Sequence, residues 1–196
     1  MLKNIYKTAS RGILEFGKTR YSCKQTPTHI LNYFVVSLIL YFRDLFKPPK
    51  TVLREVDIKH GFTILDYGCG SGNYSIAVSE LLEGTGVVFA LDKHPLAIKY
   101  ISKKIKKKNV TNIKTIHSNC KTGLTSNSVD AVLLYHVFND LKNPDAVLEE
   151  LHRIIKLSGI LSFMEFDVEG ISPNITKSGL FQLQKKMDAT HIFVKK

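Results

Sequence analysis

Short apolar runs alternate with helical hydrophobic patterns along the chain from residue 63 onward. In the helical patterns, apolar side chains recur three and four residues apart, as on one face of a helix. Strands that alternate with helices in this way predict a parallel sheet covered by helices on both faces. The predicted strands are 63–67, 87–91, 112–117, 129–135 and 160–166, and the predicted helices cover about 72–82, about 95–107 and a stretch that opens at Asn143 and Pro144.

The pattern changes at both ends of this alternating region. Before it, the pair Pro48 and Pro49 predicts the end of one helix and the start of another near Pro49, whose apolar face is Val52, Leu53 and Val56. After it, a loop containing Pro173 is followed by two strand-like runs, 180–186 and 191–195. The strand at 112–117 alternates apolar and polar residues more than the others, which predicts a position near the edge of the sheet.

The most apolar stretch of the protein is 30–42, which contains no charged residue. A helix that crosses a bilayer needs about 20 apolar residues, so this stretch is too short to span one. Three interpretations remain: a lid helix over the rest of the protein, an interfacial membrane anchor, or a contact with a partner protein. Burial as a lid is the default expectation for so apolar a helix.

Composition and charge add two constraints. The chain of 196 residues is 44% hydrophobic and 23% charged, which is ordinary for one globular domain. Its formal net charge of +11 is concentrated in the first 60 residues, which hold 11 Lys and Arg against 4 Asp and Glu. Residues 1–25 therefore predict a basic arm, with a transit peptide as the less favoured interpretation. Three widely spaced cysteines predict a reducing, cytoplasmic setting, with no disulfide and no structural zinc.

A glycine-rich turn follows the first predicted strand and leads into the first predicted helix. Its glycines are Gly68, Gly70 and Gly72, and Asp66 precedes them. Glycine permits backbone conformations that other residues avoid and lets a ligand approach the main chain. A dinucleotide-binding loop of the form G-x-G-x-x-G would need a glycine at position 73, which is Asn73.

This spacing resembles motif I of the class I S-adenosylmethionine (SAM) methyltransferases, and the resemblance covers about 48–167. It is closest to the methyltransferase-11 type group, which includes small-molecule and quinone methyltransferases. The resemblance implies a Rossmann-like, doubly wound α/β fold, with a mostly parallel sheet, a C-terminal antiparallel hairpin and N-terminal capping helices. It divides the chain into a basic arm with a lid, 1–47, and a methyltransferase domain, 48–196. SAM is the implied methyl donor, S-adenosylhomocysteine the product, and no metal is needed.

The resemblance also carries over residue by residue. Asp92, at the end of the second strand, is placed to accept hydrogen bonds from ribose hydroxyls. Asn119 stands where the family usually has an acid that binds the adenine amino group, so this contact is expected to be weaker. The expected cofactor contacts are Asp66, Gly68, Cys69, Gly70, Gly72, Asp92, Lys93, Asn119, Cys120 and Tyr135.

The end of the fourth strand is where this fold presents residues to the methyl acceptor. His136 is the candidate general base there, with Tyr135 as a second catalytic candidate and Asp140 as a weaker one. The segment after this strand lacks the proline-containing motif of enzymes that methylate exocyclic amino groups of nucleic-acid bases. The lysines of 99–108, which could suggest nucleic-acid binding, predict instead a solvated face of the second helix. The predicted function is methylation of a small apolar or amphipathic acceptor, with possible peripheral membrane contact through 30–42. An RNA or protein methyltransferase and a non-catalytic SAM-binding protein remain alternatives.

Overall fold

The central strands form where apolar residues are continuous, because both faces of the sheet are covered there. The computed structural model describes residues 48–165 and 168–196. In this part of the chain the helices are α1 (Pro49–Leu53), α2 (Asn73–Leu81), α3 (Pro95–Lys107), α4 (Pro144–Ile154) and α5 (Val168–Lys177). The strands are β1 (Thr63–Tyr67), β2 (Val87–Asp92), β3 (Ile113–His117), β4 (Val129–Tyr135), β5 (Ile155–Met164), β6 (Phe181–Lys186) and β7 (His191–Lys195).

These strands form one sheet in the order β3-β2-β1-β4-β5-β7-β6. Strands β1 to β5 pair with one another in parallel, and β7 is antiparallel to both β5 and β6. The predicted doubly wound sheet with a C-terminal antiparallel hairpin is confirmed, as is the edge position of β3. The part of the predicted N-terminal capping region that lies in 1–47, including the apolar stretch 30–42, falls outside the described residues.

Alternate residues of the central strands pack on opposite faces of the sheet. Ile64 of β1 packs in one apolar cluster with residues of α1, α2 and α3, and Leu65 packs in the other with residues of α4 and α5. The helix starts follow the sequence closely. The side chain of Asn143 caps α4 by accepting a hydrogen bond from the N–H of Ala146, and Pro144 occupies the first turn. Val52, Leu53 and Val56 are buried as predicted.

Two predicted elements differ from the structure. The predicted loop around Pro173 is wrong, because residues 168–177 form α5 with this proline inside the helix. Proline disfavours a helix interior, but Ile175 is fully buried among residues of the sheet and of α4, and this packing holds the helix in place. Within the described residues, no helix is both long and apolar enough to cross a membrane.

The second difference lies in β5, which begins at Ile155 instead of residue 160. Val129 of β4 pairs with Ile155 of β5, and the next paired residues are Ala131 and Ile160. Between these two pairs β5 has more residues than β4, so the pairing is irregular there. The predicted turn at Ser158 and Gly159 lies inside this irregularity. A Cβ on Gly159 would lie 2.9 Å from the carbonyl oxygen of Asp130, which explains why glycine is required there.

Candidate active site at the carboxyl edge of the sheet

The glycine-rich turn joins β1 to α2 and is fixed by the backbone of β2. The N–H groups of Gly68 and Cys69 both donate to the carbonyl oxygen of Leu91, at 2.8 and 2.9 Å. Gly68 and Gly72 have φ angles of 80° and 79°, a region that favours glycine. A Cβ at Gly68 would lie 2.8 Å from Val137, and one at Gly72 would lie 2.6 Å from Ile101. These two glycines are therefore required by the close packing of the protein itself.

Gly70 differs from the other two glycines of the turn. Its φ is 52°, and a Cβ built on it would meet no atom of the described residues within 4 Å. Its N–H donates to Oδ2 of Asp92, at 2.9 Å. The space in front of Gly70 is therefore open, and the residue leaves the backbone accessible to a ligand.

Two carboxylates, those of Asp66 and Asp92, lie at this edge of the sheet. Asp66 is buried at the end of β1 and accepts a hydrogen bond from Ser75 Oγ at 2.5 Å. Burial, and secondarily the charge of Asp92, raise the pKa of Asp66 to about 6 despite that hydrogen bond. Burial also raises the pKa of Asp92, although the N–H groups of His94 and Gly70 oppose the shift. The site is thus anionic and partly desolvated, which favours a cationic ligand.

The segment after β3 contributes the predicted adenine side of the site. Asn119 is exposed, and its carbonyl oxygen accepts a hydrogen bond from the hydroxyl of Tyr67 at 3.2 Å. Cys120 is half-buried, and the pKa of its thiol is raised by burial.

Two further predicted contacts, Lys93 and Cys69, lie after β2 and in the glycine-rich turn. Lys93 Nζ donates to the carbonyl oxygen of Asp140 at 3.0 Å, which ties the end of β2 to the segment after β4. Cys69 is buried, and burial raises the pKa of its thiol well above its usual range.

The two candidates after β4 occupy different surroundings. Tyr135 is buried, its hydroxyl lies 2.8 Å from Ser162 Oγ, and its ring packs edge-on against Tyr74 at a centroid distance of 4.9 Å. Its role as a catalytic or cofactor-binding residue stays a prediction. His136 follows with a φ of 54°, and its Nδ1 lies 3.8 Å from Oε2 of Glu165.

Glu165 is a site residue that the sequence reasoning missed. It is buried, it directly follows β5, and its Oε1 accepts a hydrogen bond from the N–H of Phe138 at 2.9 Å. The predicted strand 160–166 placed this residue inside a strand, so it was not recognised as a strand end. An acid that closes an apolar run was the available signal, since Asp66 and Asp92 lie near their strand ends in the same way.

The residues at this edge fit the predicted cofactor. SAM is positively charged at its sulfur and its amino group, and the Asp66 and Asp92 carboxylates provide the opposite charge. Gly70 leaves open the space that a Cβ would fill. In the described parts of the chain, no group of three or more His, Cys, Asp or Glu residues is arranged to hold a metal ion.

The comparisons with known proteins agree with this geometry. Residues 58–193 match the family described as "Methyltransferase domain". The chain is 30% identical over 135 residues to the demethylmenaquinone methyltransferase of Geobacillus stearothermophilus, a match that covers 68% of this chain and 58% of that protein. The chain therefore spans less than two thirds of the length of this relative.

Solved structures share the same fold. A SAM-dependent methyltransferase from Aquifex aeolicus superposes with a TM-score of 0.69 at 24% identity, over 75% of this chain and 89% of that one. A precorrin-6y C5,15-methyltransferase from Geobacter metallireducens superposes with a TM-score of 0.60 at 17% identity, over 76% and 86% of the two chains. The predictions of a methyltransferase and of SAM as cofactor are confirmed at the level of the family. With the glycine turn, the sheet order and the family match together, the chain belongs to the class I SAM-dependent methyltransferases.

Proposed function

We propose that this chain methylates a small apolar or amphipathic acceptor, with a demethylated quinone-type ring as the first candidate. The observation that carries the proposal is the 135-residue similarity to a demethylmenaquinone methyltransferase, whose acceptor is a quinone. The uncharged stretch 30–42 supports an apolar acceptor, because so many apolar side chains gain from burial against apolar surface.

The described residues supply binding and positioning. SAM supplies a methyl group on a positively charged sulfur, which the electron pair of an acceptor can displace directly. In this proposal Asp66 and Asp92 provide negative charge for the ligand, Gly70 leaves room for it, and Asp92 accepts hydrogen bonds from the ribose hydroxyls. Val137 and Phe138, which follow β4, bring apolar side chains to the same edge of the sheet. Apolar walls exclude water and keep the two reactants in a productive orientation.

The test is methyl transfer from labelled SAM by the full chain. The acceptors are a demethylated naphthohydroquinone, total tRNA and a mixture of unmodified proteins, each assayed separately. We expect label in the naphthohydroquinone alone, and calorimetry should detect SAM and S-adenosylhomocysteine binding but no NAD binding. Label only in RNA or only in protein would overturn the proposed acceptor, and SAM binding without transfer to any of the three would support a non-catalytic protein.

A second experiment tests the stretch 30–42 in the full chain. The double substitution Val36→Asp and Leu40→Asp places two charges in it, and the matched control is Lys3→Asp and Lys7→Asp in the basic arm. If 30–42 covers the acceptor, the first variant should lose methyl transfer while it retains SAM binding. Loss of binding to anionic phospholipid vesicles by the first variant alone would identify an anchor, and loss by the control alone would assign vesicle binding to charge.

A further inference from the structure

His136 and Glu165 lie side by side because of the register of two parallel strands. Tyr135 and Met164 are the last paired residues of β4 and β5, and the N–H of His136 donates to the carbonyl oxygen of Met164 at 2.8 Å. The residues that directly follow these two strands are therefore His136, after β4, and Glu165, after β5. Their side chains are only 9% and 3% exposed, and Nδ1 lies 3.8 Å from Oε2.

The backbone of His136 departs from the strand at this point. Its φ of 54° lies in the left-handed region, which costs a residue with a side chain about 1 kcal/mol or more. Such a conformation persists where the surrounding structure fixes it, and it is enriched at functional sites. The following residue, Val137, packs so closely on the glycine-rich turn that a Cβ on Gly68 would lie 2.8 Å from it. His136 is thereby placed next to the predicted cofactor loop.

The two oxygens of Glu165 have different surroundings. Oε1 accepts the N–H of Phe138 at 2.9 Å, at the start of the 3₁₀ turn Phe138–Asp140. Oε2 is the oxygen that approaches the imidazole of His136. A buried carboxylate beside an imidazole favours the protonated form of that imidazole, so Oε2 would stabilise the charge that a neutral His136 acquires when it takes up a proton. The 3.8 Å separation is an ion-pair distance, and catalytic contacts of this type often shorten only when substrate is bound.

We propose that Glu165 is a positioning residue for His136, and that His136 removes a proton from the methyl acceptor. This rests on the proposed function and narrows it to acceptors whose methylated atom carries hydrogen, such as a hydroquinone hydroxyl or ring C–H. For a hydroxyl, a lone pair of the oxygen forms the new bond to the methyl group, and the pair of the O–H bond stays on that oxygen. For a ring carbon, a π pair of the ring forms the new bond, and the pair of the C–H bond returns to the ring. In both cases the pair of the broken carbon–sulfur bond stays on sulfur. The proton of the acceptor passes to the imidazole, which faces the Glu165 carboxylate and later releases the proton to solvent.

The decisive variant is Glu165→Gln in the full chain. Glutamine keeps an oxygen that can accept the N–H of Phe138 but removes the negative charge beside His136. NMR titration of the imidazole Cε1–H, assigned with His136→Asn, should show a lower pKa of His136 than in the wild type, because the negative charge that favours its protonated form is gone. Glu165→Asp, which keeps a carboxylate, should restore part of that shift, and the exposed Glu149→Gln is the matched control.

Kinetics provide the second measurement. Glu165→Gln should lower kcat about 10- to 100-fold with an unchanged Kd for SAM, and His136→Asn should lower it about 100-fold or more. The double variant should lose no more than His136→Asn alone, because Glu165 acts through His136.

Three results would contradict the roles proposed for His136 and Glu165. An unchanged pKa of His136 in Glu165→Gln would overturn the positioning role. Normal kcat in His136→Asn, with an acceptor that the wild type methylates, would overturn the proton transfer. If the wild type methylates no acceptor, the proposed function fails, and the NMR titration still decides whether Glu165 controls the charge of His136.

Discussion

The carboxylate of Asp92 accepts a hydrogen bond from the backbone N–H of Gly70, with 2.9 Å between Oδ2 and the nitrogen. Its other oxygen, Oδ1, accepts from the N–H of His94 at 2.8 Å. The side chain that caps α3 is that of His94, whose Nδ1 accepts from the N–H of Leu96. Asp92 therefore joins the end of β2 to Gly70, the glycine of the turn whose Cβ position is open among the described residues.

Replacing Asp92 should weaken SAM binding in two steps. Asp92→Asn keeps an acceptor oxygen but loses the charge, and Asp92→Ala also releases the Gly70 amide. We expect Asp92→Ala to raise the Kd for SAM about 10- to 100-fold, since charge-assisted hydrogen bonds contribute about 1.5–3 kcal/mol. Asp92→Asn should fall between Asp92→Ala and the wild type. Calorimetry measures the Kd for SAM of both variants. The control is Asp57→Asn, which replaces an exposed acid before β1. Normal SAM binding by a folded Asp92→Ala variant would contradict the ribose assignment.

Asp66 should make the stability of the ligand-free protein depend on pH. Its pKa is about 6 in the folded protein and 3.8 for an ordinary Asp, so folding favours the protonated form. The folded state therefore loses stability as the pH rises from about 4 to about 6, by roughly 2–3 kcal/mol, and the loss is constant above that.

Asp66→Asn removes this dependence. The free energy of unfolding of the variant minus that of the wild type should be larger at pH 8 than at pH 4.5. Urea unfolding without ligand measures this difference at each pH. It should also bind SAM more weakly, because the negative charge is lost. Asp57→Asn again serves as control, and an equal difference from the wild type at both pH values would refute the effect of burial.

The glycines of the turn should separate stability from ligand binding. Gly72→Ala should destabilise the fold by about 2 kcal/mol or more, because the Cβ overlaps Ile101 and the φ of 79° is unfavourable. Gly70→Ala should cost only about 1 kcal/mol, but its Cβ enters the ligand space and should weaken SAM binding. Gly84→Ala is the matched control, because Gly84 has a φ of 77° and its Cβ would likewise meet no atom of residues 48–165 and 168–196 within 4 Å. Equal SAM affinity in the Gly70→Ala and Gly84→Ala variants would exclude the ligand role of Gly70.

Tyr135→Phe tests whether this residue acts in catalysis or in packing. Its hydroxyl lies against Ser162 Oγ, so the substitution should cost about 1 kcal/mol of unfolding free energy. Ser162→Ala should cost about 1–3 kcal/mol, because it leaves the buried tyrosine hydroxyl without this partner. If Tyr135 only packs, methyl transfer and SAM affinity remain at wild-type levels in Tyr135→Phe, whereas a large fall in kcat without a fall in stability would favour catalysis.

The sequence by itself determined the order of the helices and strands and the part of the site formed by the glycine-rich turn with Asp66 and Asp92. Continuous apolar runs marked strands covered on both faces, and Pro95 and Pro144 marked helix starts, because these signals are local. The glycine spacing and the acids beside it pointed to the SAM loop for the same reason. The predicted boundary between 1–47 and 48–196 stays a prediction.

Only the tertiary structure decided what depends on contacts between distant segments. Burial of Ile175 holds Pro173 inside α5, against the local preference of proline. The approach of Gly159 to the Asp130 carbonyl accommodates the irregular start of β5. The register of β4 with β5 brings Glu165 to His136, although 28 residues separate them in the chain. The sequence around either residue does not predict its contact with the other, because strand register is set by packing across the whole sheet.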